Sequence, residues 1–352
     1  MKRLLIFLIL ILSFSFCSEK YFIIDSSLVQ VEDGKKMILI DNIVDFFYYN
    51  NKPYFIQQTE SGINILTLYK TRFLPLFPSK NKLQKIFQIK EESQYMGNFI
   101  KDQNIFVVFK NNIYIFEKMT KYKKIKLDTF TCVYYSDELI GLKKLKNGSE
   151  NNAIFVYEVD KLINPLFTVE SDNLLQILKG DDFFISLELS QIYQEDYTLK
   201  IRYISKDFSK DIFENNVKVF YNSVFYIILL DRNHLLLQTG ENANIYNIDQ
   251  NLNMKLVGSI ESFYSYFANP YLFVINKNNL TVYYWTKSEI RPFFSIPNVS
   301  FIFYSNSKLY YLFYSKDMNV WVYNYLVIDK DFVFENNEEL ILYTLPEEVI
   351  PI

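Results

Sequence analysis

The sequence predicts an all-β chain assembled from repeated units of four short strands. Three observations carry that expectation. First, one kind of run recurs: "NNIYIFEK" (111–118), "NANIYNID" (242–249), "NNLTVYYW" (278–285) and "MNVWVYNY" (318–325) each place Asn at or next to the start of an apolar-rich stretch that alternates. Alternation with period two is the mark of a half-buried strand. Second, the starts of such runs fall at Gly62, Asn112, Asn152, Thr198, Asn244, Asn279 and Asn319, with steps of 50, 40, 46, 46, 35 and 40 residues and a mean of about 43. A period of about 40 to 50 residues is that of a four-stranded repeat. Third, 18% of the residues are aromatic, mostly Tyr and Phe, which suit strands, and the 50% hydrophobic content is enough to bury a core.

Each run has company at fixed offsets. A short apolar segment precedes it: "KPYFIQQT" (52–59), "NIFVVFKN" (104–111), "ELIGLKKL" (138–145), "DFFISLEL" (182–189), "HLLLQTGE" (234–241), "YLFVINKN" (271–278) and "KLYYLFYS" (308–315). These read as strands buried on both faces. Before most of them stands a third run ending in a turn: "NIVDFFYY" (42–49), "TFTCVYYS" (129–136), "NLLQILKG" (173–180), "SVFYIILL" (223–230), "SFYSYFAN" (262–269) and "VSFIFYSN" (299–306). The turns are written in Asn, Asp, Gly and Ser, the residues that tolerate hairpin geometry. A fourth, less regular strand follows, as in "YKKIKLD", "INPLFTV", "NMKLVGS" and "IRPFFSI". Pro165 and Pro292 in two of these fit an edge, where a missing N–H costs little.

Seven such units span residues 41 to 344. The segment 21–40 reads as two more strands and "ELILYTLP" (339–346) as another, so strands from the two ends can complete one blade. The period and strand rhythm resemble the β-propeller superfamily, without the signature of any one family. The expected fold is therefore a β-propeller of seven, alternatively eight, four-stranded blades in a single domain, 18–352, after an N-terminal signal segment, 1–17.

That segment, "MKRLLIFLILILSFSFCSEK", has Lys2 and Arg3 followed by an apolar stretch too short to span a bilayer. It resembles a bacterial lipoprotein signal, with Cys17 as the residue to be lipidated. It departs from that pattern at Phe16 and Phe14, where a small residue and Leu are usual. The alternatives are ordinary cleavage at Ser13-Phe14-Ser15 and an uncleaved anchor. Export, to the periplasm or to a lipid anchor on the envelope, is the expected location.

The remaining chemistry is sparse. There are 37 basic and 40 acidic residues, and no basic excess of the kind nucleic acid requires. Gly is scarce at 8 residues, and no phosphate-cradling Gly motif is present. His234 and Cys132 stand alone as candidate base and nucleophile, and both read as structural. The carboxylate pairs at 181–182, 195–196, 338–339 and 347–348 read as solvated turns, and Trp285 and Trp321 as packing residues. The sequence assigns no catalytic, cofactor or metal residue. Lys121, Lys123, Lys124, Lys143 and Lys144 form the one candidate partner-binding patch, weighed against a charged edge that discourages aggregation. A protein-binding or scaffold module of the cell envelope is the favoured reading. A hydrolase or lyase with an axial pocket, or a carbohydrate-binding lectin-like propeller, is the alternative.

Overall fold

The computed structural model describes residues 20–352 apart from 33–34, 72–79, 137, 145–152, 172, 221–222, 287–288, 306, 329–336, 343–345 and 347–348. The leader with Cys17, the anchor Asn152 and the pair 347–348 lie outside the described residues. All the elements described are strands. In chain order they are β1 (Lys20–Ile24), β2 (Ser27–Glu32), β3 (Lys35–Ile40), β4 (Ile43–Tyr49), β5 (Lys52–Thr59), β6 (Gly62–Thr71) and β7 (Lys80–Lys90). Next come β8 (Tyr95–Lys101), β9 (Asn104–Phe109), β10 (Asn112–Glu117), β11 (Lys121–Lys126), β12 (Phe130–Ser136), β13 (Leu139–Lys144), β14 (Ala153–Glu158) and β15 (Phe167–Glu170). They are followed by β16 (Asn173–Lys179), β17 (Phe183–Tyr193), β18 (Asp196–Ser205), β19 (Ser209–Lys218), β20 (Phe225–Asp231), β21 (His234–Thr239), β22 (Asn242–Ile248) and β23 (Met254–Glu261). The last are β24 (Tyr264–Ala268), β25 (Tyr271–Asn276), β26 (Asn279–Thr286), β27 (Glu289–Ile296), β28 (Val299–Ser305), β29 (Lys308–Ser315), β30 (Val320–Val327), β31 (Asn337–Leu342) and β32 (Val349–Pro351).

These strands make eight four-stranded sheets. Seven are consecutive meanders, and the eighth has the order β3-β2-β1-β32. The count is thus eight blades, the alternative reading, and not seven. Two features decide it. Residues 20–40 fold into three strands and not two, because Asp25 and Ser26 both take positive φ and make a tight turn. Asn337–Leu342, which overlaps the expected strand 339–346, is β31, the fourth strand of the last meander, while Val349–Pro351 pairs with β1 to complete the split blade.

Turn chemistry explains Asn278 and Asn319 among the Asn residues at the run starts, and the Asn pair between β4 and β5, while Asn111, Asn112, Asn242 and Asn244 keep ordinary backbone angles. Asn50–Asn51 and Lys277–Asn278 are consecutive residues at positive φ, and Asn319 is another such residue. Asn adopts that region more readily than most side chains.

The chain divides into two compact units, 1–92 with 300–352, and 93–299. In the first, the split blade packs on both faces. Phe22, Val29, Val31 and Val349 meet Leu312 and Tyr323, while Tyr21, Ile23 and Leu28 meet Ile43, Phe55 and Leu66. Alternation along β1 and β2 sends successive side chains to opposite neighbours.

The second unit holds five blades, from β8 to β27. Val108 and Ile113 pack on Cys132 and Leu142; Ile154 and Val156 on Leu174 and Ile177; Ile185 and Leu187 on Ile227 and Leu235; Leu236 and Ile245 on Leu272 and Trp285. Second strands are buried on both sides, which is why β9 reads as an unbroken apolar run. Fourth strands are edges, and β19, β23 and β27 each carry a register shift against the third strand. Such bulges twist an exposed edge away from pairing with another chain. Pro292 lies in edge strand β27 as expected, whereas Pro165 lies in the segment before β15.

Candidate functional site: a neutral aromatic groove on the first strands

The first strand of each blade is itself an edge, so its outer N–H and C=O groups need partners from elsewhere. In the second unit, side chains of the neighbouring first strand supply them. Tyr135 Oη donates to the Asn98 carbonyl. Tyr134 Oη accepts the Ile177 N–H at 2.8 Å. Gln176 Oε1 accepts the Ile227 N–H at 2.7 Å. Tyr226 Oη accepts the Ser265 N–H and donates to the Ser265 carbonyl at 3.0 Å. Bulges in β8, β12 and β16 fall between Tyr95 and Gly97, Cys132 and Tyr134, and Leu174 and Gln176. In β12 and β16 the bulge sits directly before the residues that reach across, and re-aims them.

Gly97 has φ +154°, and a Cβ there would lie 2.2 Å from Cε1 of Tyr135. Glycine is required for the Tyr135 ring to lie against β8.

With their edges satisfied in this way, β16, β20 and β24 line a groove of about 430 Å³. Leu178, Ile228, Leu229 and Phe267 form apolar walls. Tyr264 and Tyr266 remain 44% and 37% exposed, while Ser265 between them is buried. Alternation therefore turns both phenol rings outward and the small hydroxyl inward, where Ser265 Oγ meets Gln238 Oε1 at 3.2 Å. Tyr226 and Tyr264 pack at 6.4 Å between ring centroids.

The groove is electrically neutral. Lys179, the one cation of its lining, is bound to Glu138 at 3.0 Å. Burial raises the Tyr226 and Tyr264 hydroxyls above their ordinary pKa of 10, so both stay protonated at neutral pH. What the groove offers a ligand is apolar surface, phenol faces for stacking and neutral hydrogen-bonding groups.

One end of every blade in this unit carries the turns between first and second and between third and fourth strands; it is called here the first-turn end. There, consecutive blades are latched by polar pairs: Lys101 to Asp160 at 2.7 Å, Glu138 to Lys179 at 3.0 Å, and Asp182 to Arg232 at 3.6 Å. The Asp231–Trp285 pair belongs to the same series, and His234 supports it from within its own blade. Its Nδ1 lies 2.8 Å from Asp231, whose other oxygen accepts Trp285 Nε1 at 3.2 Å, and its Nε2 lies 3.3 Å from Asn247 Nδ2. Both ring nitrogens are engaged within the blade of His234 itself, and the Trp285 indole, bonded to Asp231, is the group that crosses from the next blade. Cys132 is buried, donates to the Tyr134 carbonyl at 3.2 Å, and has its thiol pushed up to about 12 by desolvation. It is a packing residue and not a thiolate nucleophile.

The five candidate lysines do not form one patch. Lys121 starts edge strand β11 at the first-turn end and is paired with Glu117 at 2.9 Å. Lys123 and Lys124 lie in the middle of that edge, with Lys124 Nζ 5.2 Å from the Tyr114 ring. Lys143 and Lys144 end β13 at the opposite, middle-turn end, facing Thr131 and Phe130. Among the described residues, no group of three or more His, Cys, Asp or Glu is arranged to hold a metal ion.

The groove residues were not singled out from the sequence, because a Tyr-rich composition masks them. The signal is nevertheless present: in "YSYFA" the aromatic positions flank a small residue on a first strand, the reverse of the burial expected from size.

No family model matches the sequence, and no curated protein matches it. Solved structures do. The chain is similar to apo AztD from Citrobacter koseri at 10% identity and a TM-score of 0.51, covering 95% of this chain and 97% of that one. A second AztD structure from the same organism gives 9% identity, a TM-score of 0.50 and coverage of 95% and 96%. Hsv2p of Kluyveromyces lactis aligns at 14% identity with a TM-score of 0.45, covering 85% and 99%. At such identities the AztD likeness speaks to fold alone. Together with the eight four-stranded sheets, it shows a β-propeller fold.

Proposed function

We propose that this chain is an exported binding module that holds another macromolecule of the cell envelope through the groove on β16, β20 and β24. The supporting observation is the groove's chemistry. Outward-facing Tyr264 and Tyr266 present large, rigid, amphipathic surface, which is what recognition sites favour. General acid–base catalysis needs a group tuned near neutral pH. The lining offers protonated phenols and a lysine already paired with Glu138. The leader supports export, and a lipid on Cys17 would tether the module to a membrane, although one acyl chain alone binds marginally. Mass spectrometry of the mature N-terminus tests the tether: a lipidated Cys17 is expected, and an unmodified terminus at Phe16 or Ser18 would show plain secretion.

The binding reading is tested by affinity capture from envelope extract with the mature chain and with the double variant Tyr264→Ser, Tyr266→Ser. One defined partner should be retained by the former and lost by the latter. Turnover of an envelope sugar, peptide or lipid by the purified chain, abolished by changing a groove residue, would replace this reading with the enzyme.

A further inference from the structure

We infer that the middle-turn end of the two blades β8–β11 and β12–β15 is a docking surface for an extended acidic segment of a partner protein. The surface is built by Lys110, Lys126, Lys143 and Lys144, so two of its members come from outside the patch suggested by sequence spacing.

Backbone bonds bring these four together. Lys110 opens the β9–β10 turn, and its carbonyl accepts the Cys132 N–H at 2.7 Å, joining that turn to β12. The next residue, Asn111, accepts the Leu127 N–H at 3.0 Å, which fixes the end of β11 where Lys126 faces Asn112. On the other side, Phe130 and Thr131 of β12 face Lys144 and Lys143. With strands about 4.8 Å apart, the lysine stems fan out over roughly 10–15 Å.

The pairing of lysines differs between the two ends. At the first-turn end of the same blades Lys101, Lys121 and Lys161 each meet a carboxylate within 3.0 Å, and Lys179 of the next blade meets Glu138 there. At the middle-turn end Lys110, Lys126, Lys143 and Lys144 make no ion pair among the described residues; Lys110, Lys126 and Lys144 are exposed and Lys143 is half-buried. Side chains that fan out do not converge on one compact anion. They match carboxylates strung along an extended peptide, where every second residue faces the same way about 6.6–7 Å apart. The chain as a whole carries 40 acidic against 37 basic residues, which disfavours a long nucleic-acid polyanion as the occupant. This surface is separate from the groove, and either can fail without the other.

The test is fluorescence anisotropy of a labelled ten-residue glutamate peptide with the mature chain. Binding should weaken with added salt and fall at least tenfold in the quadruple variant Lys110→Glu, Lys126→Glu, Lys143→Glu, Lys144→Glu. A quadruple Lys→Gln variant, which avoids clustered carboxylates, should lose a smaller but clear part. Lys121→Glu and the groove double variant should each stay within twofold of the wild type. Absence of peptide binding, or an equal loss in Lys121→Glu, would overturn the inference. So would binding to vesicles containing phosphatidylglycerol, lost in the quadruple variants, without binding to the peptide; that outcome would assign the surface to a membrane.

Discussion

Tyr134 Oη accepts the backbone N–H of Ile177 at 2.8 Å, a side chain of one blade completing the edge of the next. Tyr226 repeats the arrangement on Ser265 two blades further on. Removing either hydroxyl leaves a buried N–H without a partner, which costs about 1–3 kcal/mol. Tyr134→Phe and Tyr226→Phe should each lower the free energy of unfolding by that amount in urea titration, with an unchanged m-value. A loss under about 0.5 kcal/mol, the level of an ordinary surface change, would contradict the role given to these hydroxyls.

Gly97 and Tyr135 form a second dependence between blades. In Gly97→Ala the new methyl would overlap the Tyr135 ring, and φ +154° would strain any L side chain. Overpacking of this kind costs about 1–3 kcal/mol. A thermal melt should show a clear drop for Gly97→Ala. In a Tyr135→Ala background Gly97→Ala should cost much less than it does in the wild type, since the overlap is then gone and only the backbone strain remains. Equal melts for Gly97→Ala and wild type would refute the close approach.

Glu188 predicts a pH dependence. It is 2% exposed on β17, accepts a bond from Ser186 Oγ at 2.6 Å, and lies 3.7 Å from Arg202 Nη2. Desolvation outweighs both partners and raises its pKa above the ordinary 4.5. A raised folded pKa means that its contribution to stability is fully present below about 4.5 and is lost as pH rises through the folded value. Each unit of elevation is worth about 1.4 kcal/mol. Glu188→Gln should therefore unfold later than wild type at pH 7 and show a flatter stability profile from pH 4.5 upward. A variant less stable than wild type at pH 7 would mean that the Arg202 ion pair, and not desolvation, dominates.

The fold was legible in the sequence to the extent that it depends on turns and alternation. The hairpin turn at Asn50–Asn51 and the apolar second strands could be read directly. The eighth blade was harder to see. Val349–Pro351 is a three-residue strand, too short to show alternation, and its partner β1 lies at the other end of the chain. The site was legible least. Lys121 and Lys124 are neighbours in sequence, yet register places them respectively at one end and in the middle of a strand, while Lys110 and Lys143, 33 residues apart, are brought to one end by the Lys110–Cys132 backbone bond. Tyr264 and Tyr266 resemble the other aromatic strand residues until the neighbouring first strands are in place.

The groove is tested most directly by replacing Tyr266 with photoreactive benzoylphenylalanine in the mature chain and irradiating it in envelope extract. The account predicts a single covalent adduct at this position, suppressed by excess unlabelled wild-type chain and not by excess Tyr264→Ser, Tyr266→Ser chain. No adduct at position 266, while the same photoreactive residue placed at Lys121 on the first-turn end does capture a partner, would contradict it.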